Sequence, residues 1–147
     1  MTGLINRFIC LFSCIPNWIY TTLARIFVGL SFYRSGLTKF DDYFEIRSVT
    51  YTLFNNEYFP NAPFPESVIN VMAFCAAYAE VILPVLLFIG LGSRFAALGL
   101  LVMTIVIQFV YPSAYMLHLS WGIALLTIIV NGAGPLSLDY FIKKSRG

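Results

Sequence analysis

Residues Ser67–Tyr111 read SVINVMAFCAAYAEVILPVLLFIGLGSRFAALGLLVMTIVIQFVY, an apolar run in which Glu80 and Arg94 are the charged positions. A bilayer-crossing helix needs about 20 mostly apolar residues, because the hydrocarbon layer is roughly 30 Å thick and each residue rises about 1.5 Å. The run therefore holds two such helices, about 67–90 and 94–111, divided by the breakers Gly90-Leu91-Gly92. Barrel strands would alternate polar and apolar residues over about 10 positions, and nothing here does. Working outward, residues 18–37 and 114–130 supply two more apolar stretches, the last bounded by Pro112 and by Asn131-Gly132. The expected fold is all-α: one transmembrane domain over residues 1–147, built as an integral membrane four-helix bundle whose third and fourth spans form a hairpin with almost no outer loop.

Composition excludes the alternatives. The chain has 147 residues, 59% hydrophobic and 11% charged, against roughly 25% charged in a soluble domain. A formal charge of +2 offers no basic surface for a phosphate backbone, which removes nucleic acid as a partner. Disorder requires low hydrophobicity and high net charge, and is excluded too. The bilayer is the first expected partner.

Leu4 to Ile15 carries Arg7 and a short apolar core, but Pro16-Asn17-Trp18 interrupts it and no small-residue cleavage site follows. It is read as a short interfacial helix with a retained N-terminus. Orientation follows the lysine and arginine count in the flanks. Arg7, Arg94, Lys143, Lys144 and Arg146 face Asp139 alone on one side; Arg34, Lys39 and Arg47 are outnumbered by Asp41, Asp42, Glu45, Glu57 and Glu66 on the other. Both termini are predicted to be cytoplasmic.

The outer loop from Phe40 to Glu66 is long and aromatic. Tyr43, Ile46, Thr50, Leu53 and Phe54 fall near helical spacing, with Asp41 or Asp42 as a cap, so a short amphipathic helix is expected there. The proline-stiffened return 59–65 leads into the second span. Its aromatics read either as an interfacial belt or as a cover over a binding site.

An ionisable group at membrane depth costs roughly 2.5 to 3.5 kcal/mol or more and so marks a functional or paired site. Arg25 and Glu80 stand out, at depths of about 11 and 15 Å from the inner edge at the helical rise. Gly29, Phe32 and Gly36 share the face of Arg25; Ala73, Ala76, Ala77 and Pro84 share or flank that of Glu80, and small residues let membrane helices approach. Pro84 removes the hydrogen bond owed to the carbonyl of residue 80, so the five-donor Arg25 is expected to satisfy both that carbonyl and the carboxylate. Two roles stay open for the pair: a structural clip between the first two helices, or a proton-carrying or ligand-binding carboxylate.

On the third span Arg94, Ala97, Leu101, Thr104 and Gln108 share a face, with Arg94 at the inner edge as an anchor. Gln108 lies near His118 in depth, and both are candidate ligand-binding residues, His118 as a quinone hydrogen-bond donor or as a packing residue. A single histidine cannot supply paired axial haem ligands. Cys10 and Cys14 make an incomplete metal site on the reducing side, and Cys75 is read as a small apolar residue pointing away from the Glu80 face. No metal site and no covalently held cofactor is expected, and phosphate-loop, HExxH, GxSxG and CxxC motifs are absent.

Leu23-Ala24-Arg25-Ile26-Phe27-Val28-Gly29-Leu30, Ser35-Gly36-Leu37-Thr38-Lys39-Phe40, Tyr78-Ala79-Glu80, Gly90-Leu91-Gly92-Ser93-Arg94 and Gly134-Pro135-Leu136-Ser137-Leu138-Asp139, in this order around four spans, resemble the DoxX family of small bacterial inner-membrane proteins. The resemblance covers roughly Leu23 to Ile142. It implies that Arg25, Glu80 and Arg94 form one polar cluster in the cytoplasmic half. Val81-Ile82-Leu83-Pro84 stands where the family often has a glycine-rich stretch. Family members are similar to a subunit of a thiosulfate:quinone oxidoreductase, and others are linked to thiol and oxidative-stress defence.

The resemblance implies a membrane subunit of a quinone-linked redox complex, inactive alone, with quinone as the ligand kept open and separate membrane or soluble redox proteins as partners. The competing reading is a non-catalytic anchor or assembly factor whose polar cluster locks the bundle. Transport is disfavoured, because four helices enclose little space and no inverted repeat is present; a path would need a homo-oligomer.

Overall fold

The computed structural model describes residues 16–41 and 43–145. Four long helices, α1 (Asn17–Leu37), α3 (Glu66–Ile89), α4 (Ser93–Val110) and α5 (Tyr115–Asn131), form an all-α bundle, with a short α2 (Ser48–Leu53) between the first two and α6 (Leu138–Ser145) after the last. Helices α3 and α4 and the segment Pro112–Asn131 are long and apolar enough to cross a membrane. The 21 residues of α1 have spanning length, but Thr21, Thr22, Arg25 and Arg34 dilute its apolar character. The expected helix before Pro16 falls outside the described residues.

Each long helix buries one stripe. On α1 it is Thr21, Arg25, Val28, Gly29, Phe32 and Gly36; on α3 it is Ile69, Ala73, Ala77, Glu80, Pro84 and Leu87. Both follow the three-and-four spacing of a helix face. Helices α1 and α4 each pack on α3 and α5, so the four form a closed ring. Val28, Phe32, Leu87, Ala97, Leu100, Leu125 and Ile128 fill its centre. Outward-facing Phe95 and Phe109 are more than four-fifths exposed, as residues meeting lipid chains would be, since hydrocarbon accepts them as readily as a core does.

The two ends of the ring are built differently. At one, termed the clamp end, α3 stops at Gly90, whose φ of 75° is left-handed and returns the Gly90 and Leu91 N–H groups to the Leu86 carbonyl. At the other, the lid end, a one-turn 3₁₀ segment Pro112–Ala114 joins α4 to α5, and the segment 43–65 lies over the bundle there. The outer-loop helix begins later than its spacing predicted. Asp41 accepts the N–H groups of Tyr43 and Glu45 in a tight turn, and Phe40 pairs with Ile46 in a short antiparallel bridge. Asp41 thus caps a turn rather than a helix, Tyr43 is left almost fully exposed, and α2 starts at Ser48 and runs into a π-helical turn, Phe54–Tyr58.

Gly90 tests the clamp end. An added Cβ would lie 2.4 Å from the Ser137 Cβ and 2.9 Å from an Arg25 nitrogen, whereas at Gly92, also left-handed, it would meet nothing within 4 Å. Gly90→Ala is expected to cost about 3 kcal/mol from strain and overpacking together, and Gly92→Ala about 1 kcal/mol from strain alone. Thermal unfolding of the two variants in detergent checks this; equal losses would contradict the packing described.

Candidate functional site

Glu80 sits on the buried face of α3, one turn before Pro84. Its Oε2 accepts a hydrogen bond from Ser35 Oγ at 3.2 Å and an ion pair from Lys39 Nζ. Lys39 lies two residues past α1, and its N–H bonds the Gly36 carbonyl, so the chain is still turning and Lys39 follows Ser35 by one helical turn. The Lys39 carbonyl in turn accepts from the Arg47 N–H and from Thr50 Oγ1 at 3.3 Å, tying the ion pair to the start of the lid. The pair is sheltered, with side-chain exposures of 16% for Lys39 and 4% for Glu80.

This ion pair borders a cavity of about 440 Å³, within the 300–1,000 Å³ usual for small-molecule sites. Phe54, Tyr58 and Phe59 roof it from the lid, Met72, Cys75 and Ala76 of α3 and Val102, Val106 and Tyr111 of the α4 side wall it, and Trp121 of α5 closes the back. The Trp121 ring lies against Phe32 and His118, with centroids 4.9 and 5.4 Å away. Its Nε1 is buried and has no acceptor among the described residues. A buried donor left unpaired costs about 1–3 kcal/mol. Burial first, then Tyr111 alongside, pushes the Tyr58 phenol above its ordinary range, so the roof stays neutral.

The expected cluster of Arg25, Glu80 and Arg94 does not form. Arg25 Nε donates to the Leu87 carbonyl at 2.8 Å, one terminal nitrogen to Phe88 at 3.0 Å, and the other to Ala133 at 2.7 Å and Leu136 at 3.0 Å. The last carbonyls of a helix have no N–H of their own, and the loop after α5 brings two more. These acceptors at the clamp end consume the guanidinium, while Glu80 lies about 10 Å further along α3 at the helical rise. The carbonyl of Glu80 faces Gly36 instead, where an added Cβ would come within 3.0 Å of it. Arg94, exposed, reaches the Val130 carbonyl at the end of α5 at 3.3 Å. Asp139 completes this end by accepting the N–H groups of Gly92 and Ser93, the start of α4.

Gln108 and His118 do meet, Oε1 to Nδ1 at 2.7 Å, but neither lines the cavity; His118 touches it through Trp121. Cys75, expected to point away from Glu80, lines the same cavity. The residue that sequence reasoning missed is Lys39, counted only as a flanking charge. The spacing of Ser35 and Lys39, one turn apart on either side of Gly36, was the available signal. Cys10 and Cys14 lie outside the described residues.

A bundle of apolar helices enclosing a polar-edged cavity defines a helical membrane protein with an internal cavity. Residues 20–113 match the family model DoxX, and the chain belongs to the DoxX family. A protein of Haemophilus influenzae described as an uncharacterized protein is 30% identical over 149 residues, which span 92% of this chain and 91% of that protein. No solved structure matches.

The separation of the two polar groups has a stability signature. Arg25→Ala strands four carbonyls and is expected to cost about 4 kcal/mol or more, with Arg25→Lys intermediate because its three donors leave from one point. Adding Glu80→Leu to Arg25→Ala is expected to deepen the loss, as independent sites do. Unfolding in detergent measures both, and rescue by the double replacement would mean that the two side chains are partners after all.

Proposed function

We propose that the chain is the membrane subunit of a quinone-linked redox complex of the bacterial inner membrane, holding the quinone ring in the lid-end cavity while a partner protein carries the electron-transfer centre. The single observation behind this reading is the Lys39–Glu80 ion pair bordering a mainly apolar cavity. A quinone ring is flat, apolar on both faces and polar only at its carbonyl oxygens, so it needs aromatic or aliphatic walls and a few donors. Phe54, Tyr58 and Val106 supply the apolar surface, and the Lys39 ammonium supplies a donor. Reduction of a quinone takes up protons as well as electrons, and Glu80, held by Lys39 and Ser35 at the cavity edge, would exchange one. The excess of Lys and Arg in one set of flanks supports an orientation with both termini in the cytoplasm and the lid outward.

A non-catalytic anchor is the second reading, favoured by Arg25 and Arg94 alone, whose described bonds all go to main-chain carbonyls. It leaves the cavity without a role.

The test uses a Trp18→Phe protein in lipid nanodiscs, so that Trp121 is the only tryptophan, with decylubiquinone as a fluorescence quencher. Saturable quenching is expected. The Lys39→Met, Glu80→Gln pair, which removes the charges together and so spares the fold an unpaired ion, is expected to weaken it by about 10-fold or more, the worth of one charged hydrogen bond. Quenching that never saturates, or that is the same in the neutralised protein, contradicts the proposal.

A further inference from the structure

The cavity has a roof toward water and a thin wall toward lipid. On the lid side the aromatic rings interlock: Phe54 lies 4.9 Å from Tyr58 and 6.2 Å from Phe59, and Tyr58 meets Tyr111 edge-on at 5.5 Å, joining the lid to the end of α4. Phe54 is also buried against Ile69 and Ala73 of α3. Among the described residues no comparable layer covers the side between α3 and α4. Near the clamp end these helices touch closely, an added Cβ on Gly99 falling 2.9 Å from Leu83. One to two turns further on, Cys75, Val102 and Val106 each line the cavity and are each exposed on the outer surface, Val102 by 55% and Val106 by 44%. A side chain that touches the interior and the exterior at once is the whole thickness of the wall. These positions lie well inside the apolar stretches of α3 and α4, so the exterior they face is hydrocarbon.

We infer that the cavity opens sideways into the bilayer through a window between α3 and α4, rimmed by Cys75, Val102 and Val106, and that its ligand is an amphipathic lipid whose ring or polar head sits by Lys39 and Glu80 and whose hydrocarbon tail leaves through the window. The identity of the head rests on the proposed function; the route and the tail do not. The rim is wholly apolar, which offers a tail contact but no hydrogen bond to a polar head in transit. The polar groups all lie behind it, so a ligand dissolved in the membrane loses no tail solvation while its head finds donors. A water-soluble ligand would instead have to part the aromatic roof.

Filling the window separates the two routes. Cys75→Phe with Val106→Phe adds bulk at lipid-facing positions, where larger apolar groups are accepted without overpacking a core. In the Trp18→Phe protein in nanodiscs, the rate at which decylubiquinone quenches Trp121 after rapid mixing is expected to fall at least 10-fold when the window is filled. An unchanged rate would overturn the window and leave quinone binding intact. If decylubiquinone quenches neither protein, the quinone reading falls, and the window is judged by nanodiscs of phospholipid brominated on the acyl chain. Trp121 quenching that filling removes upholds the window, and equal or absent quenching in both proteins overturns it.

Discussion

A guanidinium at membrane depth has to spend its donors on something, and Arg25 spends them on four main-chain carbonyls. Two belong to the last turn of α3 and two to the segment that follows α5, so one side chain of α1 holds three parts of the ring together. The left-handed turn at Gly90 makes this possible, because a Cβ there would occupy the space of Ser137 and crowd Arg25 itself. Asp139 adds the complementary bond, capping the start of α4. The clamp end is thus closed by charge meeting backbone, which in a low-dielectric setting is worth more than the same contact in water.

Because Arg25 is occupied there, Glu80 has to find its counter-charge elsewhere, and it finds Lys39 at the opposite end of the bundle. That pairing gives the lid-end cavity its polar edge. It also links the site to the lid, since the Lys39 carbonyl is held by Arg47 and Thr50. The two ends divide the work: one fixes the helices, and the other leaves a ligand-sized space bordered by an ion pair and aromatic rings.

Helices were readable in the sequence because apolar runs of spanning length, stopped by Gly90-Leu91-Gly92 and Pro112, leave few other structures open. The meeting of Gln108 and His118 was readable as well, since depth along two antiparallel helices is simple arithmetic. The partner of Arg25 was not. Helical spacing gives the face a residue occupies but not which acceptors a neighbouring loop brings, and the carbonyls of Ala133 and Leu136 carry no side-chain signature. Lys39 was hidden for a related reason: it lies beyond the helix end, where charge counting treats a lysine as a flank, yet the turn at Gly36 keeps it within reach of Glu80. The lid helix began late because a single side chain, Asp41, stabilised a turn in its place. Each difference is a local polar contact overriding an apolar pattern that was otherwise read correctly.

The central claim is that Glu80 belongs to Lys39 and that Arg25 belongs to the backbone. Charge reversal measures it directly: Lys39→Glu and Glu80→Lys singly, then together, with folded yield in native membranes and detergent melting as readouts. Each single reversal is expected to lower both, and the double reversal to recover most of the loss, while Arg25→Glu with Glu80→Arg recovers none. Recovery by the Arg25 swap, and not by the Lys39 swap, would contradict the account.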